Sequence, residues 1–578
     1  MALKERRYCV GIKVLGSTKG KAKRRNGIWF SYIEHWSGTQ RRDKMQYNFK
    51  AYVSAYHQEV TGSRFLLRIE FPDGVKKTIL IDCGYFQEIE YRVLNYVYDI
   101  DPAIIDAVIL THNHIDHTGL VPKLVREGYN GPVYMTAITR ELVGNFWKDC
   151  ASMQEENAEY LKQKFPNDAW QFKPLYYAED ASKAVSLSVG LPFRKEIEII
   201  PGRVYMTYYE NGHLLGAGMV HLRITAYRKQ DIEYFFTGDF KPSNPFFKVP
   251  PLPRKLLRRN LVIMCESTYG STQSKDIKKC LKSNLAKAFR EGKNILIGAF
   301  AQGRMQEILY LLKQMQEEGL IPSRYRIRVD GNLGLKTTAL YREILSWYNP
   351  SMKDFLPEGL EIVDCKSREN ILEDENPVVL VTTSGMLSNG PAVTYVPIFI
   401  QDPNSLIHLV GYAAEETLAR ELLEAREKDE ITIRGEVCKK RATVLTTREC
   451  TSHATEDQLF EELLDKFENP VAIYINHGAA DVQTHFLKDV RDRYPDMEHV
   501  DCINRNVMYQ FTMNGNRRHW DLTIKKMPSG LSKFGLTKKS RDMLKERKKE
   551  KGYTRGRSTK KISSKHQRCS RGKGMRRR

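Results

Sequence analysis

The segment IDAVILTHNHIDHTG (105–119) constrains the fold more than any other part of the chain. An apolar, β-branched run stops abruptly at three histidines and an aspartate within six positions: His112, His114, Asp116 and His117. The run predicts a buried strand that delivers its polar end into a loop. Imidazoles and a carboxylate at that density are zinc-type ligands. A loop can aim His112 and His114 at one ion while Asp116 and His117 turn toward a second. Two ions need more than four ligands, so the fold must bring others from far along the chain. The candidates are His213 in ENGHLLGAG, Asp239 in FFTGDF and His477 in YINHG, each at or near a strand end. Asp239 can bridge two ions through its two oxygens.

The same strand-then-polar pattern recurs in KTILIDCG (77–84) and EYFFTGDF (233–240), while 137–163 and 178–189 read as helices. From about 247 the pattern becomes alternating strands and helices of the α/β type. LVIMCEST (261–268), NILIGAFA (294–301), YRIRVDG (325–331), PVVLVTTSGM (377–386) and SLIHLVGY (405–412) are its strands. After Gly303, the residues Met305, Ile308, Leu309, Leu312 and Met315 fall on one helical face, which makes a strand-to-helix unit. Helical patterns return at 416–427 and 456–467, and VAIYINHG (471–478) reads as a final buried strand. Ser384, Gly385 and Met386 follow a strand, so backbone N–H groups there can cradle a phosphate; a tight turn without a ligand is the equal alternative.

Of the 578 residues, the two ends hold the positive charge. Residues 526–578 carry a net +18 and residues 1–46 a net +9, which leaves −5 on the body between them. Such ends suit a polyanion, because each neutralised phosphate releases counterions. The N-terminal segment also interleaves Trp29, Phe30, Tyr32 and Trp36 with its lysines and arginines. The C-terminal segment is too poor in apolar residues to fold alone and is expected to be disordered until bound. No stretch reaches the roughly 18 apolar residues of a membrane span, and the first residues are charged rather than apolar. The ten cysteines are scattered without a CxxC pair, so the sequence indicates neither a thiolate zinc site nor a disulfide framework. A reducing, cytoplasmic compartment without membrane attachment fits this composition.

The HxHxDH motif, Asp82 in ILIDCG, His213 and Asp239 resemble the four motifs of the metallo-β-lactamase fold. Glu266 in CESTYG, His453 in TSHAT and His477 in NHG resemble motifs A, B and C of its β-CASP branch, which processes nucleic acids. AFAQGRMQEIL (299–309), TSGMLSNGP (383–391) and GYAAEETLAR (411–420) are similar to segments of the inserted β-CASP domain. The match spans about 47–490 with every motif in order. It resembles the bacterial and archaeal relatives of the endonuclease subunit that cleaves pre-mRNA before polyadenylation. One departure is Thr455, where the family usually has aspartate.

The resemblance implies an αββα sandwich with an inserted α/β domain. The boundaries expected are a basic extension (1–46), the first part of the sandwich (47–246), the insert (247–425), the second part (426–525) and a basic tail (526–578). It implies one zinc on His112, His114 and His213, another on Asp116, His117 and His477, and Asp239 between them, with manganese as an alternative occupant. His453 would be the general acid, Glu266 its orienting partner, and Asp82 a support for the ligand loop. A histidine at motif C is typical of the RNA-acting members, so the expected substrate is RNA, cut endonucleolytically. A 5′-to-3′ exoribonuclease, a DNA nuclease and a catalytically silent RNA-binding scaffold are the competing readings. The basic tail suits a ribosome or structured RNA, and the resemblance leaves room for a homodimer.

Overall fold

A computed structural model of the chain describes residues 47–528, apart from the short stretches 57–59, 89–90, 97–100, 167–171, 228–229, 412, 414–416, 506 and 516–519. The basic extension 1–46 and all but three residues of the basic tail lie outside the described residues. Two sheets face each other. The first has eight strands in the order Trp520–Pro528, Val507–Gly515, Tyr47–Ala55, Phe65–Glu70, Lys76–Ile81, Ala107–Ile109, Val133–Thr136, Ser188–Leu191. The second has seven, in the order Val500–Cys502, Pro470–Asn476, Leu261–Glu266, Gln230–Phe236, Gly218–Tyr227, Val204–Glu210, Ile197–Ile200.

Alternation along the strands builds the layers. In Leu261–Glu266, Val262 and Met264 enter the core between the two sheets with Phe65, Ile81 and Phe236, while Leu261, Ile263 and Cys265 pack outward. The outward row is covered by helices Glu456–Glu461 and Ala480–Arg493, through Leu459, Phe486 and Val490. Helices Val121–Arg126, Ala137–Lys164 and Ala178–Ser186 cover the first sheet in the same way, with Trp147 fully buried among them. A strand covered on both faces shows no polar alternation, which is why LVIMC reads as one continuous apolar run. The result is an αββα sandwich.

A third, wholly parallel sheet forms the inserted domain, in the order Glu361–Ile362, Arg326–Asp330, Val378–Thr382, Asn294–Gly298, Ser405–Leu409, Thr443–Thr446. Ile295 and Ile297 face helices Leu281–Glu291 and Arg304–Glu317; Leu296 faces helices Ala392–Gln401 and Leu418–Glu424. The two domains meet in an apolar seam of Ile138, Leu142, Leu215 and Phe246 with Tyr341, Ile344, Leu345 and Phe355.

Three expectations change. The insert begins later than residue 247 and ends later than 425. Leu261–Glu266 pairs in parallel with Gln230–Phe236 and Pro470–Asn476, inside the sandwich, while Thr443–Thr446 completes the insert's sheet. Buried parallel strands of the two domains have the same composition, so only pairing separates them. The run 471–478 is not the final strand, because the partly polar strands Val500–Cys502, Val507–Gly515 and Trp520–Pro528 follow it. The last of these crosses the expected start of the tail at 526. No helix among the described residues is long and apolar enough to cross a membrane.

Candidate metal centre and active site

The chemistry-bearing residues follow the C-terminal ends of strands that open on one edge of the sandwich. Asp82 follows Lys76–Ile81, the histidine motif follows Ala107–Ile109, and His213 follows Val204–Glu210. Asp239 follows Gln230–Phe236, Glu266 ends its strand, and His477 follows Pro470–Asn476. The motif divides in two because a helical turn, Ile115–Thr118, starts inside it with His114 at its cap. His112 and His114 precede the turn, whereas Asp116 and His117 ride on it. The chain is packed tightly behind this turn: a Cβ on Gly84 would fall 1.7 Å from the carbonyl oxygen of Asp116.

Two sets of ligand atoms draw on the motif, and Asp239, Glu266, His453 and His477 form a further group beside them. His112, His114, His213 and Asp239 lie mutually within 4.8 Å, and so do Asp116, His117 and His477. Asp239 spans both. Its Oδ2 is 3.5 Å from Nε2 of His112 and of His213, and its Oδ1 is 3.1 Å from Nε2 of His117 and 3.3 Å from Nε2 of His477. In the first set, His114 Nδ1 stands 3.1 Å from His213 Nε2.

Hydrogen bonds on the far side of three of the rings fix their tautomers. His117 Nδ1 meets Asp82 Oδ2 at 2.7 Å, His213 Nδ1 meets the Ser452 carbonyl at 2.9 Å, and His477 Nδ1 meets Thr268 Oγ1 at 3.0 Å. Each donates from Nδ1 and turns the Nε2 lone pair inward, the arrangement of metal-binding histidines. Asp82 in turn accepts from Ser63 Oγ and from the N–H and hydroxyl of Thr111.

The donor set fits cations and little else. The Nε2 atoms of His117 and His477 approach to 3.1 Å while both face Asp239 Oδ1, so acceptors converge on one point. His112 Nε2 and Asp239 Oδ1 are buried and make no hydrogen bond. Burial holds His112 and His213 well below the usual imidazole pKa and His114 down at about 4, which keeps their lone pairs available. At His117 burial acts in the same direction, but the carboxylates of Asp239 and Asp82 outweigh it and raise the ring well above its ordinary value.

His453 stands at the rim. Its Nδ1 is 2.9 Å from Glu266 Oε2, and its Nε2 is 3.9 Å from Asp239 Oδ2. Burial disfavours its protonation, yet Glu266 and Asp239 together push its pKa up to about 9. Glu266 is held in turn by the Phe240 N–H and by Thr268, whose Oγ1 is 2.6 Å from Oε2. Thr455 caps helix Glu456–Glu461, with Gln458 reaching back to its N–H.

Residues passed over in the sequence complete the site. Thr268 joins Glu266 to His477, and only its place two positions after the glutamate hints at that. Asn211 accepts from the His213 N–H and donates to the carbonyls of Thr237 and Asp239. Ser384 and Gly385 lie on the loop after Val378–Thr382, beside Phe300. The Ser384 N–H is donated to the Asn389 carbonyl, leaving its buried hydroxyl as the group without a hydrogen bond.

A metallo-beta-lactamase superfamily model matches residues 65–259, and a Beta-Casp domain model matches 305–422. Transcription termination factor FttA of Methanosarcina mazei is 29% identical over 442 residues, covering 73% of this chain and 65% of that protein. FttA of Thermococcus kodakarensis is 30% identical over 421 residues, covering 68% of this chain and 60% of that protein. Ribonuclease TTHA0252 of Thermus thermophilus is 28% identical over 437 residues, 73% of this chain and 91% of the ribonuclease. The match thus spans less than two thirds of the two termination factors and most of the ribonuclease. With both domains matched in order, and a cluster of His and Asp ligands at the edge of its sandwich, the chain belongs to the β-CASP branch of the metallo-β-lactamase superfamily.

Proposed function

We propose that the chain is a zinc-dependent ribonuclease that hydrolyses phosphodiester bonds within RNA. The observation that carries this reading is the division of Asp239, with one oxygen toward His112 and His213 and the other toward His117 and His477. His112, His114 and His213 would hold one ion, Asp116, His117 and His477 the second, and the nitrogen-rich donor set favours zinc, with manganese as the alternative. Such a pair of ions supplies, when bound, a water of lowered pKa and neutralises charge on the phosphate.

The chain's own contribution to the proton transfer is His453. Glu266 accepts from its Nδ1, so Nε2 carries the mobile proton and points toward the Asp239 side of the site. The Glu266 carboxylate against Nδ1 favours the protonated ring, as an acid for the departing ribose oxygen requires. Its side chain is 17% exposed, against 2% for Asp239, so it stands where a polymer can reach it. RNA as the polymer is supported by the ribonuclease and termination-factor relatives and by the histidine at 477.

The test is a time course on one RNA labelled separately at each end, with matched DNA, for wild type and His453→Ala. Early internal fragments that vanish in the variant are expected. Mononucleotides released from the 5′ end would make it an exonuclease, and cleavage of DNA alone would remove RNA as the substrate. No ion and no cleavage would sink the enzymatic reading. The basic tail is proposed to dock on a ribosome or structured RNA, since lysines and arginines bind phosphates without reading sequence. Truncation belongs after Pro528, because Trp520–Pro528 is paired in the sheet. Loss of a steeply salt-dependent affinity is expected.

A further inference from the structure

One contact from the insert reaches into the ligand loop. Asn113, between His112 and His114, is completely buried, and its Nδ2 donates to Oε1 of Gln302 across 189 positions of sequence. Gln302 is also buried and sits in the turn between strand Asn294–Gly298 and helix Arg304–Glu317. The next residue, Gly303, holds φ 75°, and a Cβ there would stand 3.5 Å from Cδ2 of Leu214, the neighbour of His213. A single turn of the insert therefore touches both loops that carry His112, His114 and His213. The apolar seam of Leu215 and Phe246 with Tyr341 and Leu345 holds the insert against the same face.

The bridge is selective for one placement of the insert. Asn113 Oδ1 is buried and makes no hydrogen bond, and apart from Asn113 the Gln302 amide meets the side chain of Tyr341, a residue of the insert. Separating the pair would leave the Asn113 amide without a hydrogen-bond partner in a space closed to water, which costs more than the net value of one hydrogen bond. The second ligand set has no such dependence. Its rings are oriented by Asp82 and Thr268, both within the sandwich.

We propose that Asn113 and Gln302 are positioning residues that tie the geometry of the first ligand set, His112, His114 and His213, to the docking of the insert. The proposal rests on the reading that these side chains hold a divalent ion. Neither amide is among the ligands; each acts through the backbone it fixes, Asn113 directly between two ligand positions. A shift of the insert that parts the two amides would loosen the first set before the second, and catalysis would fail without loss of RNA binding.

The experiment is a cobalt(II) titration of the full chain, followed by absorbance, on wild type, Asn113→Ala, Gln302→Met and the double variant. Gln302→Met keeps length and volume while removing the acceptor, and circular dichroism checks folding. Asp116→Asn, which alters only the second set, assigns the two binding steps. Each single variant is expected to weaken the first-set ion about tenfold with the second unchanged, and the double variant to be no worse than either single. On RNA, kcat should fall with KM within about twofold, since a removed constraint on geometry acts at the chemical step. Unchanged first-set affinity, equal weakening of both sets, or additive losses in the double variant would overturn the proposal. Wild type that takes up no ion at all would instead overturn the metal reading on which it rests.

Discussion

Asp82 Oδ2 lies 2.7 Å from His117 Nδ1, and the Asp82 backbone is in the left-handed region at φ 57°. The strand Lys76–Ile81 ends there, and the turn swings the carboxylate back onto the histidine of the next ligand loop. The Thr111 N–H, 2.9 Å from Oδ1, fixes the other side of the carboxylate. Asp82→Asn tolerates the backbone, because asparagine enters that region readily. Its amide, however, cannot accept from His117 and from Thr111 at once. Ion affinity at the His117 set is expected to fall about 10- to 100-fold. Metal analysis after dialysis against a mild chelator measures this, with circular dichroism unchanged; full retention would assign Asp82 to folding alone.

His453→Ala is expected to lower kcat by about 10²- to 10⁴-fold while both ions are retained, because it removes the proton donor and no ligand. Glu266→Gln leaves the ring in place and should lose less. Single-turnover cleavage and metal content measured on the same preparations decide between this and a ligand role. Loss of an ion in His453→Ala would place the ring among the ligands.

Thr268 joins the proposed acid to the proposed metal centre. It accepts from His477 Nδ1 and donates to Glu266, so its hydroxyl fixes one ligand ring and one orienting carboxylate together. Thr268→Val keeps the shape and deletes the hydroxyl, and a loss of about tenfold in kcat and in second-set ion affinity is expected. Thr268→Ser should restore both. If valine matches wild type, the relay has no function.

His408 gives a stability prediction remote from the site. It is fully buried on strand Ser405–Leu409, one in from the edge of the insert's sheet, with Nε2 3.3 Å from Asn284 Nδ2 and Nδ1 3.3 Å from its neighbour's carbonyl. Nε2 must accept, so the neutral ring fits, and burial lowers its pKa to about 4. The unfolded chain takes up this proton near pH 6.5, the folded one only near 4. The contribution is therefore complete above about 6.5 and declines as pH falls toward 4, by up to about 3 kcal/mol. Urea melts of wild type and His408→Gln at pH 7, 5.5 and 4.5 test it; equal slopes of stability against pH would refute it.

The residues that cluster at the sandwich edge could be picked out in the sequence because they are rare residue types placed at or near the ends of strands. His112, His114, Asp116, His117, His213, Asp239 and His477 each end or follow a run that can only be buried, so their polarity signals chemistry. The order of strands was not legible. Leu261–Glu266 and Asn294–Gly298 are alike in composition, and only hydrogen bonding assigns one to the sandwich and the other to the insert.

The sequence by itself determined which residues could bind ions and where buried strands lie, since both follow from residue type and local spacing. Only the tertiary structure decided which nitrogen of His117, His213 and His477 faces inward, because the far-side acceptors Asp82, Ser452 and Thr268 come from 35, 239 and 209 positions away. It alone set Asn113 against Gln302, two ordinary amides whose roles exist only once the insert is docked. Hydrogen bonds act over a few ångströms, and no local pattern records which distant strand ends will share one edge.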